Sequence, residues 1–386
     1  MQETGKVMIA ASQEELEAIW RFRYEVYIEE LKRDYPNADH ERRWLRDEDD
    51  ESPCAVNLYL GPLDQIVGVQ RVLIWPPGEI PTDYHQLFSM EVFPGIEEAV
   101  IAEAGRLMIR PSARGTNVFP QIVDAMRELW QERDVKMCFL YCVPGLVKHY
   151  RMTLGARPYD GRLIPAGFGV GIPMVVLPSD PQSFEACVES EAEAAGNSDP
   201  EGPTPQETVG FDVSRYAAVL EGDAVPVKLD ESAVWDLFEH QLLEDESARP
   251  AFLNSLSKEA VKRLTSSGFI LDPSPGDVIA KGGTEEKEMY VILTGVFEVV
   301  SQGKRLAILE KGDLFGEIAF FSETGERCAT VRAVTKGEVL VLRRNFLEKL
   351  TRIDPDAGFQ ILHNMGTVMA DRIVGLNQAL LAARGS

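Results

Sequence analysis

A Gly-Glu pair followed ten positions later by an arginine is the first set of residues with an evident chemistry. The pair is Gly316-Glu317 and the arginine is Arg327, in the stretch F-G-E-I-A-F-F-S-E-T-G-E-R-C-A-T-V-R-A. A carboxylate accepts a hydrogen bond from a ribose 2′-hydroxyl, and a buried arginine with exposed backbone N–H groups neutralises a cyclised phosphate. Small residues after the arginine let the loop close over a ligand. The spacing therefore predicts a cyclic nucleotide site.

A second set, Glu103-Ala104-Gly105-Arg106, has the groups needed for acyl transfer to an amine. Residues three apart on a regular strand face opposite sides, but a glycine between them permits a bulge that re-aims side chains and leaves backbone N–H groups unpaired. An unpaired N–H stabilises the oxyanion of a thioester carbonyl. A carboxylate beside it accepts the proton of the attacking amine. An ordinary Glu–Arg surface pair on a strand is the alternative, and spacing alone leaves both open.

The elements around Glu317 are short strands joined by glycine-containing hairpins. The evidence is P-G-D-V-I-A-K-G-G at 275–283 and M-Y-V-I-L-T-G-V-F-E-V at 289–299. Residues 251–383 resemble the cyclic nucleotide-binding domain, a small β-roll with flanking helices. The resemblance implies cAMP or cGMP as the ligand, with Glu317 on the ribose and Arg327 on the phosphate.

The same resemblance implies contacts from backbone or small side chains of Gly316, Ile318, Cys328 and Ala329. Cys328 stands where the family usually has Ala, Ser or Thr, so the choice between cAMP and cGMP stays open.

The N-terminal part alternates helical and strand patterns. Helices are predicted at 14–31 and 120–132, and strands at 56–60, 66–74, 101–109 and 137–143. This order predicts a mixed α/β (α+β) fold with a central sheet and flanking helices.

Four stretches of this part resemble a known superfamily in order and spacing. They are R-F-R-Y-E-V-Y at 21–27, V-G-V-Q-R-V-L at 67–73, A-E-A-G-R-L-M-I at 102–109 and Y-R-M-T-L-G-A-R-P-Y at 150–159. Together they resemble the GNAT acyltransferases, and more closely the autoinducer-synthase and N-acyl amino acid synthase branch. The resemblance implies that Glu103 is the base, acting through a water, and that Tyr150 protonates or positions the leaving thiolate.

It also implies that Arg23, Arg71 and Arg106 form an anion-binding or helix-anchoring set. Salt bridges within an acidic domain remain the alternative for these arginines, and a packing role remains the alternative for Tyr150.

The superfamily's pyrophosphate loop is only partly matched. It usually reads Gln/Arg-x-x-Gly-x-Gly/Ala before a helix, whose N-terminus holds the anion. Here 111–118 reads P-S-A-R-G-T-N-V, in which Gly115 fits the first glycine and Arg114 adds a charge. Acyl-CoA and an acyl carrier protein both stay open as donors. A carrier protein would need a basic patch, for which the candidates are Arg110, Arg114, Lys148 and Arg151.

Composition excludes several other functions. The net charge of −23 argues against a nucleic-acid surface. Five cysteines, an odd number without metal-ligand spacing, and five scattered histidines predict no metal site and a reducing, cytoplasmic location. We expect no membrane span, because no run of about 18 apolar residues and no signal pattern occurs.

An acidic stretch divides the chain. No lysine or arginine occurs between Arg162 and Arg215, and 179–210 is rich in Glu, Asp, Pro, Ser and Ala. We predict an acyltransferase domain at 1–178, a flexible acidic linker at 179–228 and a cyclic nucleotide-binding domain at 229–386. Near the C-terminus an apolar stripe predicts a long helix that packs on its own domain or pairs with a second copy in a homodimer.

The sequence thus predicts a cyclic nucleotide-regulated N-acyltransferase, which moves an acyl group from a pantetheine thioester to an amine such as an amino acid. Two alternatives remain. One is a nucleotide-regulated protein lysine acetyltransferase that uses acetyl-CoA. The other is a non-catalytic cyclic nucleotide sensor with a degenerate acyltransferase fold, favoured by the altered pyrophosphate loop.

Overall fold

The computed structural model describes residues 6–166 apart from 32, 34 and 36, together with 169–179, 213–221, 225–243, 249–266 and 268–384. The chain divides into two units, Met1–Pro226 and Val227–Ser386.

The first unit is built on a mixed sheet with the order β1-β2-β3-β4-β5-β8, and β6 and β7 both pair with β8. The strands are β1 (Met8–Ile9), β2 (Ala55–Leu60), β3 (Gly68–Trp75), β4 (Ile101–Ile109), β5 (Met137–Cys142), β6 (Arg157–Pro158), β7 (Ile164–Ala166) and β8 (Gly169–Val176). Only β4 and β5 pair in parallel among these described strands, and a helix connects them, as a parallel crossover requires.

Within the described residues of this unit, five α-helices accompany the sheet. They are α1 (Gln13–Tyr24), α2 (Thr82–Leu87), α3 (Val118–Glu132), α4 (Val147–Leu154) and α5 (Ala217–Glu221). Ser12 and Glu15 form a capping box that begins α1, and the predicted helix continues after Tyr24 as a π-helical turn over Glu25–Glu30. In α3 the apolar residues at helical spacing, such as Ile122, Met126 and Trp130, are buried.

Residues 213–221 depart from the predicted linker. They form a short 3-10 helix, Val213–Tyr216, followed by α5, and Tyr216 is fully buried in an aromatic cluster with Phe93, Phe139 and Tyr159. Burial of the Tyr216 ring in this core stabilises the segment, although the composition around it is acidic. The prediction of a flexible linker is therefore wrong for these residues, whereas residues 180–212 lie outside the described residues.

The second unit is a β-roll of two antiparallel sheets, with the orders β15-β12-β17-β10-β9 and β11-β16-β13-β14. Its strands are β9 (Val227–Lys228), β10 (Phe269–Leu271), β11 (Val278–Ala280), β12 (Glu288–Thr294), β13 (Phe297–Ser301), β14 (Lys304–Leu309), β15 (Leu314–Phe315), β16 (Thr330–Ala333) and β17 (Glu338–Arg343). A mixed α/β unit and a β-roll with helices are the predicted architecture, which is confirmed.

The helices of the second unit pack one apolar core against the β-roll, with Phe238, Leu264, Leu340 and Ile361 among its members. They are α6 (Glu231–Phe238), α7 (Lys258–Ser266), α8 (Glu317–Phe321), α9 (Arg344–Ile353) and α10 (Pro355–Arg384). Across the part of the chain that the structure describes, no helix is long and apolar enough to cross a membrane. Within the same ranges, no group of three or more His, Cys, Asp or Glu could hold a metal ion.

Candidate active site and candidate nucleotide site

The candidate active site is a cavity at the point where β4 and β5 separate. Their pairing stops at Glu103↔Phe139, although β4 runs on to Ile109 and β5 to Cys142. Residues from both unpaired segments line a cavity of about 490 Å³. The predicted residues Glu103, Arg106 and Tyr150 all line it, so the structure brings the proposed catalytic set together.

A β-bulge in β4 presents Glu103 and Arg106 to the same cavity. The β3–β4 register is Val69↔Met108 and then Arg71↔Gly105, so one residue of β3 opposes two of β4. The left-handed backbone angle, φ 60°, belongs to Arg106 and not to the glycine before it. The Gln70 amide fixes the bulge by donating to the Gly105 carbonyl at 2.7 Å and to the Arg71 carbonyl at 2.9 Å.

Gly105 has a steric role beside the carboxylate. A Cβ atom at this position would lie 2.3 Å from Glu103 Oε1. A side chain at position 105 would therefore displace the Glu103 carboxylate from its present position.

Glu103 is a buried acid held by an arginine. It is 4% exposed, and its Oε2 lies 3.3 Å from Arg71 Nη2. Burial raises the pKa of Glu103, although Arg71 and Arg106 oppose this effect. A carboxylate with a raised pKa is a better proton acceptor at neutral pH, which is what a general base needs.

Two aspartates that sequence reasoning missed neutralise the arginines. Asp47 Oδ2 lies 2.8 Å from Arg106 Nε and 3.1 Å from Arg71 Nη1, while Asp49 Oδ2 lies 3.6 Å from Arg71 Nη1. Burial opposes the charge on Asp47, but Arg106 and Arg71 outweigh it and lower the pKa of Asp47 to about 2. The one signal for this turn was the acidic run at 47–51, which is also typical of a solvated loop.

Tyr84 of α2 belongs to the same network and was also missed. Its hydroxyl donates to Asp49 Oδ2 at 2.5 Å and accepts from Arg71 Nη2 at 3.3 Å, while its ring packs on Trp75 with 4.9 Å between centroids. Tyr84 lines the cavity. Arg71 is thus shared between Glu103 and the Tyr84–Asp49 pair.

The rest of the cavity wall is largely apolar. It includes Met108, Met126, Leu140, Val143, Leu146 and Leu154. Tyr150 also lines this wall, its ring stacks on Phe119 at 6.2 Å between centroids, and burial raises the pKa of the Tyr150 phenol. A phenol that stays protonated can donate a hydrogen bond to a leaving thiolate and so position it. The apolar wall suits an acyl chain.

Three other predicted residues have different outcomes. Arg23 is 1% exposed and ion-paired with Asp50 at 2.7 Å, and it is not among the residues that line the cavity. Its place therefore fits the helix-anchoring alternative, because the buried guanidinium is held by Asp50 and Asn57 and does not line the cavity. Arg114 lines the cavity and pairs with Glu30 at 2.6 Å, whereas Gly115 lies in the exposed turn before α3 with φ 74° and does not line it.

The candidate nucleotide site lies in the second unit at β15, α8 and the loop that follows. Gly316 has φ 82° and caps α8, whose first residue is Glu317, 5% exposed. Arg327 is 3% exposed. Its backbone N–H donates to the Thr284 carbonyl, and its backbone carbonyl accepts from the Gly283 N–H, both at 2.8 Å. The predicted ribose and phosphate residues thus stand at the two ends of one loop.

Arg327 is only partly satisfied by its surroundings. Nη1 donates to the Glu288 carbonyl at 2.8 Å and to the Gly316 carbonyl at 3.2 Å. Nε and Nη2 are buried without a hydrogen bond to any described residue, and Nη2 lies 3.6 Å from Glu286 Oε2. Buried donors without an acceptor are costly unless a ligand takes them, so Arg327 has donors available for a phosphate, which would compete with the Glu286 and Glu288 carboxylates nearby.

Glu317 has a partner that the sequence did not indicate. Arg372 of α10 donates from Nη1 to Glu317 Oε1 at 2.5 Å and from Nη2 to the Leu314 carbonyl at 2.7 Å. The carboxylate assigned to the ribose is therefore engaged by the long helix. The other predicted contacts, Ile318 and Cys328, are exposed, and Ala329 is half-buried.

Comparisons with known proteins agree with this division. Residues 18–180 match the family model of the N-acyl amino acid synthase FeeM, and residues 273–354 match that of the cyclic nucleotide-binding domain. The predicted fusion of an acyltransferase domain of the N-acyl amino acid synthase type to a cyclic nucleotide-binding domain is therefore confirmed.

Individual relatives share only short segments. The chain is 35% identical over 78 residues to the voltage-gated delayed rectifier potassium channel KCNH1 of Rattus norvegicus, which covers 20% of this chain and 8% of the channel. It is 28% identical over 113 residues to a cGMP-dependent protein kinase of Toxoplasma gondii, 29% of this chain and 11% of the kinase. A solved cyclic nucleotide-binding domain from Methylobacillus flagellatus is 18% identical, covering 45% of this chain and 97% of that one at a TM-score of 0.34.

Proposed function

We propose that this chain is an N-acyltransferase that moves an acyl group from a pantetheine thioester to the amine of an amino acid, under the control of a cyclic nucleotide. The observation that carries the proposal is Glu103, a buried carboxylate with a raised pKa, which lies where β4 and β5 separate, in a cavity whose remaining wall is largely apolar. It lies in the segment that matches the N-acyl amino acid synthase family.

The reaction uses three groups of this cavity. Glu103 accepts a proton from the amine, directly or through a water, and the nitrogen attacks the thioester carbonyl. Backbone N–H groups of the unpaired half of β4 stabilise the oxyanion. The tetrahedral intermediate then expels the thiolate, which accepts a hydrogen bond from Tyr150, and the C–N bond replaces the C–S bond.

Arg106 is the residue that recognises the acceptor carboxylate. It lines the cavity and keeps a side-chain exposure of 25%, whereas Arg71 keeps 4%. Its pair with Asp47 holds the guanidinium in place, and a planar guanidinium binds carboxylates in a fixed geometry.

The donor is an acyl-CoA or an acyl carrier protein, whose pantetheine arm is common to both. Of the four basic residues considered for carrier docking, Arg110 pairs with Glu25 at 3.1 Å and Arg114 with Glu30 at 2.6 Å. An acidic carrier would have to displace these two glutamates. On cysteine usage alone we place the reaction in the cytoplasm.

A cyclic nucleotide, cAMP or cGMP, is the controlling ligand, with Glu317 on the ribose and Arg327 on the phosphate. The buried donors of Arg327 and the match to the cyclic nucleotide-binding domain support this assignment. We also propose a homodimer through α10, because Phe359, Leu362 and Ile373 on this helix are 70%, 43% and 58% exposed. Sedimentation of the parent and of a Phe359→Ser/Ile373→Ser variant tests the dimer, which the double change should weaken.

Donor and acceptor screening tests the central proposal. Acyl thioesters of two to sixteen carbons, on CoA and on a carrier protein, are combined with amino acids or with a lysine peptide, and the amide product is detected by mass. We expect long-chain donors and free amino acids to give product in the parent protein and not in Glu103→Gln. A preference for acetyl-CoA with the peptide would support the lysine acetyltransferase instead. Absence of any turnover would support the non-catalytic sensor.

A further inference from the structure

The segment that joins the two units is held firmly on the first unit. Tyr216 is fully buried, and its ring packs 5.4 Å from Phe93 between centroids. The Tyr216 hydroxyl donates to the Pro94 carbonyl at 3.3 Å, and the Val219 carbonyl accepts from the Asp160 N–H at 2.8 Å. Residues 213–221 are therefore an anchored end rather than a loose tail.

The same segment is held in the second unit a few residues later. β9 begins at Val227 and pairs with β10 through Lys228↔Ile270 and Val227↔Leu271. Lys228 Nζ lies 2.5 Å from Asp272 Oδ2 and 3.3 Å from Glu338 Oε1. Only residues 222–226 separate the end of α5 from β9, so the two anchored ends are close together in the chain.

The anchor on the first unit reaches the candidate active site through one core cluster. Tyr216 and Leu220 share that cluster with Phe88, Phe93 and Trp75, and Tyr84 packs against it. Phe88 directly follows α2, the helix that carries Tyr84. The Tyr84 hydroxyl in turn contacts Arg71, the arginine that holds Glu103.

The anchor in the second unit belongs to the sheet that supports the nucleotide site. β9 is the edge strand of the order β15-β12-β17-β10-β9. β12 supplies the Glu288 carbonyl that accepts from Arg327, and β15 leads directly into Gly316 and Glu317. The nucleotide site and β9 therefore belong to the same sheet.

We propose that residues 213–228, here named the coupling segment, transmit nucleotide binding to Tyr84 and thereby set the position of Arg71 on Glu103. This inference rests on the proposed function and specifies its regulation. Nucleotide contacts at Glu317 and Arg327 alter the packing of the β12–β10 sheet, β9 moves with it, and α5 carries the movement into the cluster below α2. Couplings between sites are typically about 5- to 150-fold in affinity, which a small displacement of Arg71 is enough to produce.

Glycine insertion tests the transmission without touching either anchor. Three glycines are inserted after Glu221, and the matched control carries three glycines after Gln302, in the exposed β13–β14 turn where Gly303 has open space around it. Nucleotide affinity by calorimetry, basal acyl transfer and the fold-change caused by saturating nucleotide are measured for all three proteins. We expect the first insertion to reduce the fold-change to about 1 while affinity and basal rate stay at the parent values, and the control to respond as the parent does.

A second variant covers the case in which the insertion after Glu221 disturbs folding. Tyr216→Leu keeps an apolar side chain at this position but removes the ring contacts and the hydroxyl, so the nucleotide response should fall at unchanged nucleotide affinity. A full response in both variants overturns the inference and leaves the proposed function intact. A parent protein that transfers acyl groups without responding to bound nucleotide overturns the inference and the proposed regulation together, and a parent without acyl transfer overturns the proposed reaction.

Discussion

Glu103 is a buried carboxylate with an arginine at 3.3 Å, and other acids share the charge of that arginine. Arg71 alone would hold the Glu103 pKa low. Burial nevertheless dominates and raises the Glu103 pKa, and the Asp47 carboxylate adds to this effect. Burial thus determines how basic Glu103 is.

The pH dependence of acyl transfer follows from this shift. A general base works only when deprotonated, so kcat/KM should fall as the pH drops through the Glu103 pKa, at a pH above the usual value of 4.5 for Glu. Rate profiles from pH 4 to 9 measure this acid limb. Glu103→Gln should lose the limb and lower the rate by about 10² to 10⁴. An acid limb that survives in the variant would assign the titration to another group.

Gly105 offers a test of geometry rather than of charge. Gly105→Ala places a Cβ where Glu103 Oε1 now lies, 2.3 Å away, so the carboxylate must move. A misplacement of about 1 Å can cost roughly 10² in rate, and we expect a loss of that order in kcat with little change in the thermal midpoint. Gly366→Ala, in open space on α10, is the matched control and should be fully active. Normal activity of Gly105→Ala would mean that Glu103 need not hold its present position.

Sequence reasoning identified these residues unevenly. Glu103, Arg106 and Arg71 follow from local motifs, because strand and bulge geometry are fixed by neighbours in the chain. Asp47 is 59 positions from its partner Arg106, and Arg372 is 55 positions from Glu317. Such pairs depend on tertiary packing, so no spacing rule reveals them.

At the scale of elements, strands of strong apolar pattern were predicted well. β4 was predicted with its observed bounds, Ile101–Ile109, and β5 to within one residue. The helix predicted at 14–31 instead changes to a π-helical turn after Tyr24. The prediction rested on the spacing of apolar residues, which did not indicate this change within the helix.

Helix α10 gives an element-scale prediction about the nucleotide site. Arg372 and a ribose 2′-hydroxyl both use the Glu317 carboxylate, so Arg372→Ala should tighten nucleotide binding. The pair is partly exposed, with 39% of the Arg372 side chain accessible, and such a pair contributes about 1 kcal/mol, or about fivefold in Kd. Calorimetric titration measures the change, with Arg352→Ala as an exposed-arginine control. Weaker binding in Arg372→Ala would show that this arginine helps to hold the ligand.

At the scale of the whole molecule, composition indicated that the chain divides, but it did not indicate that residues 213–221 are folded. The stretch without basic residues indicated a linker, yet residues 213–221 within it are packed in an aromatic core. A few buried side chains are enough to keep such a segment folded, because burial of the Tyr216 ring contributes favourable free energy. Residues 213–221 are therefore a structural part of the first unit.

The central claim is that one chain joins acyl transfer to nucleotide sensing. Its most direct test is the initial rate of thiol release from a long-chain acyl thioester with an amino acid acceptor, with and without saturating cAMP or cGMP, in the parent and in Arg327→Ala. We predict that one nucleotide changes the parent rate by roughly 5- to 150-fold and leaves the Arg327→Ala rate unchanged. A parent rate that is identical with either nucleotide and without it would contradict the account.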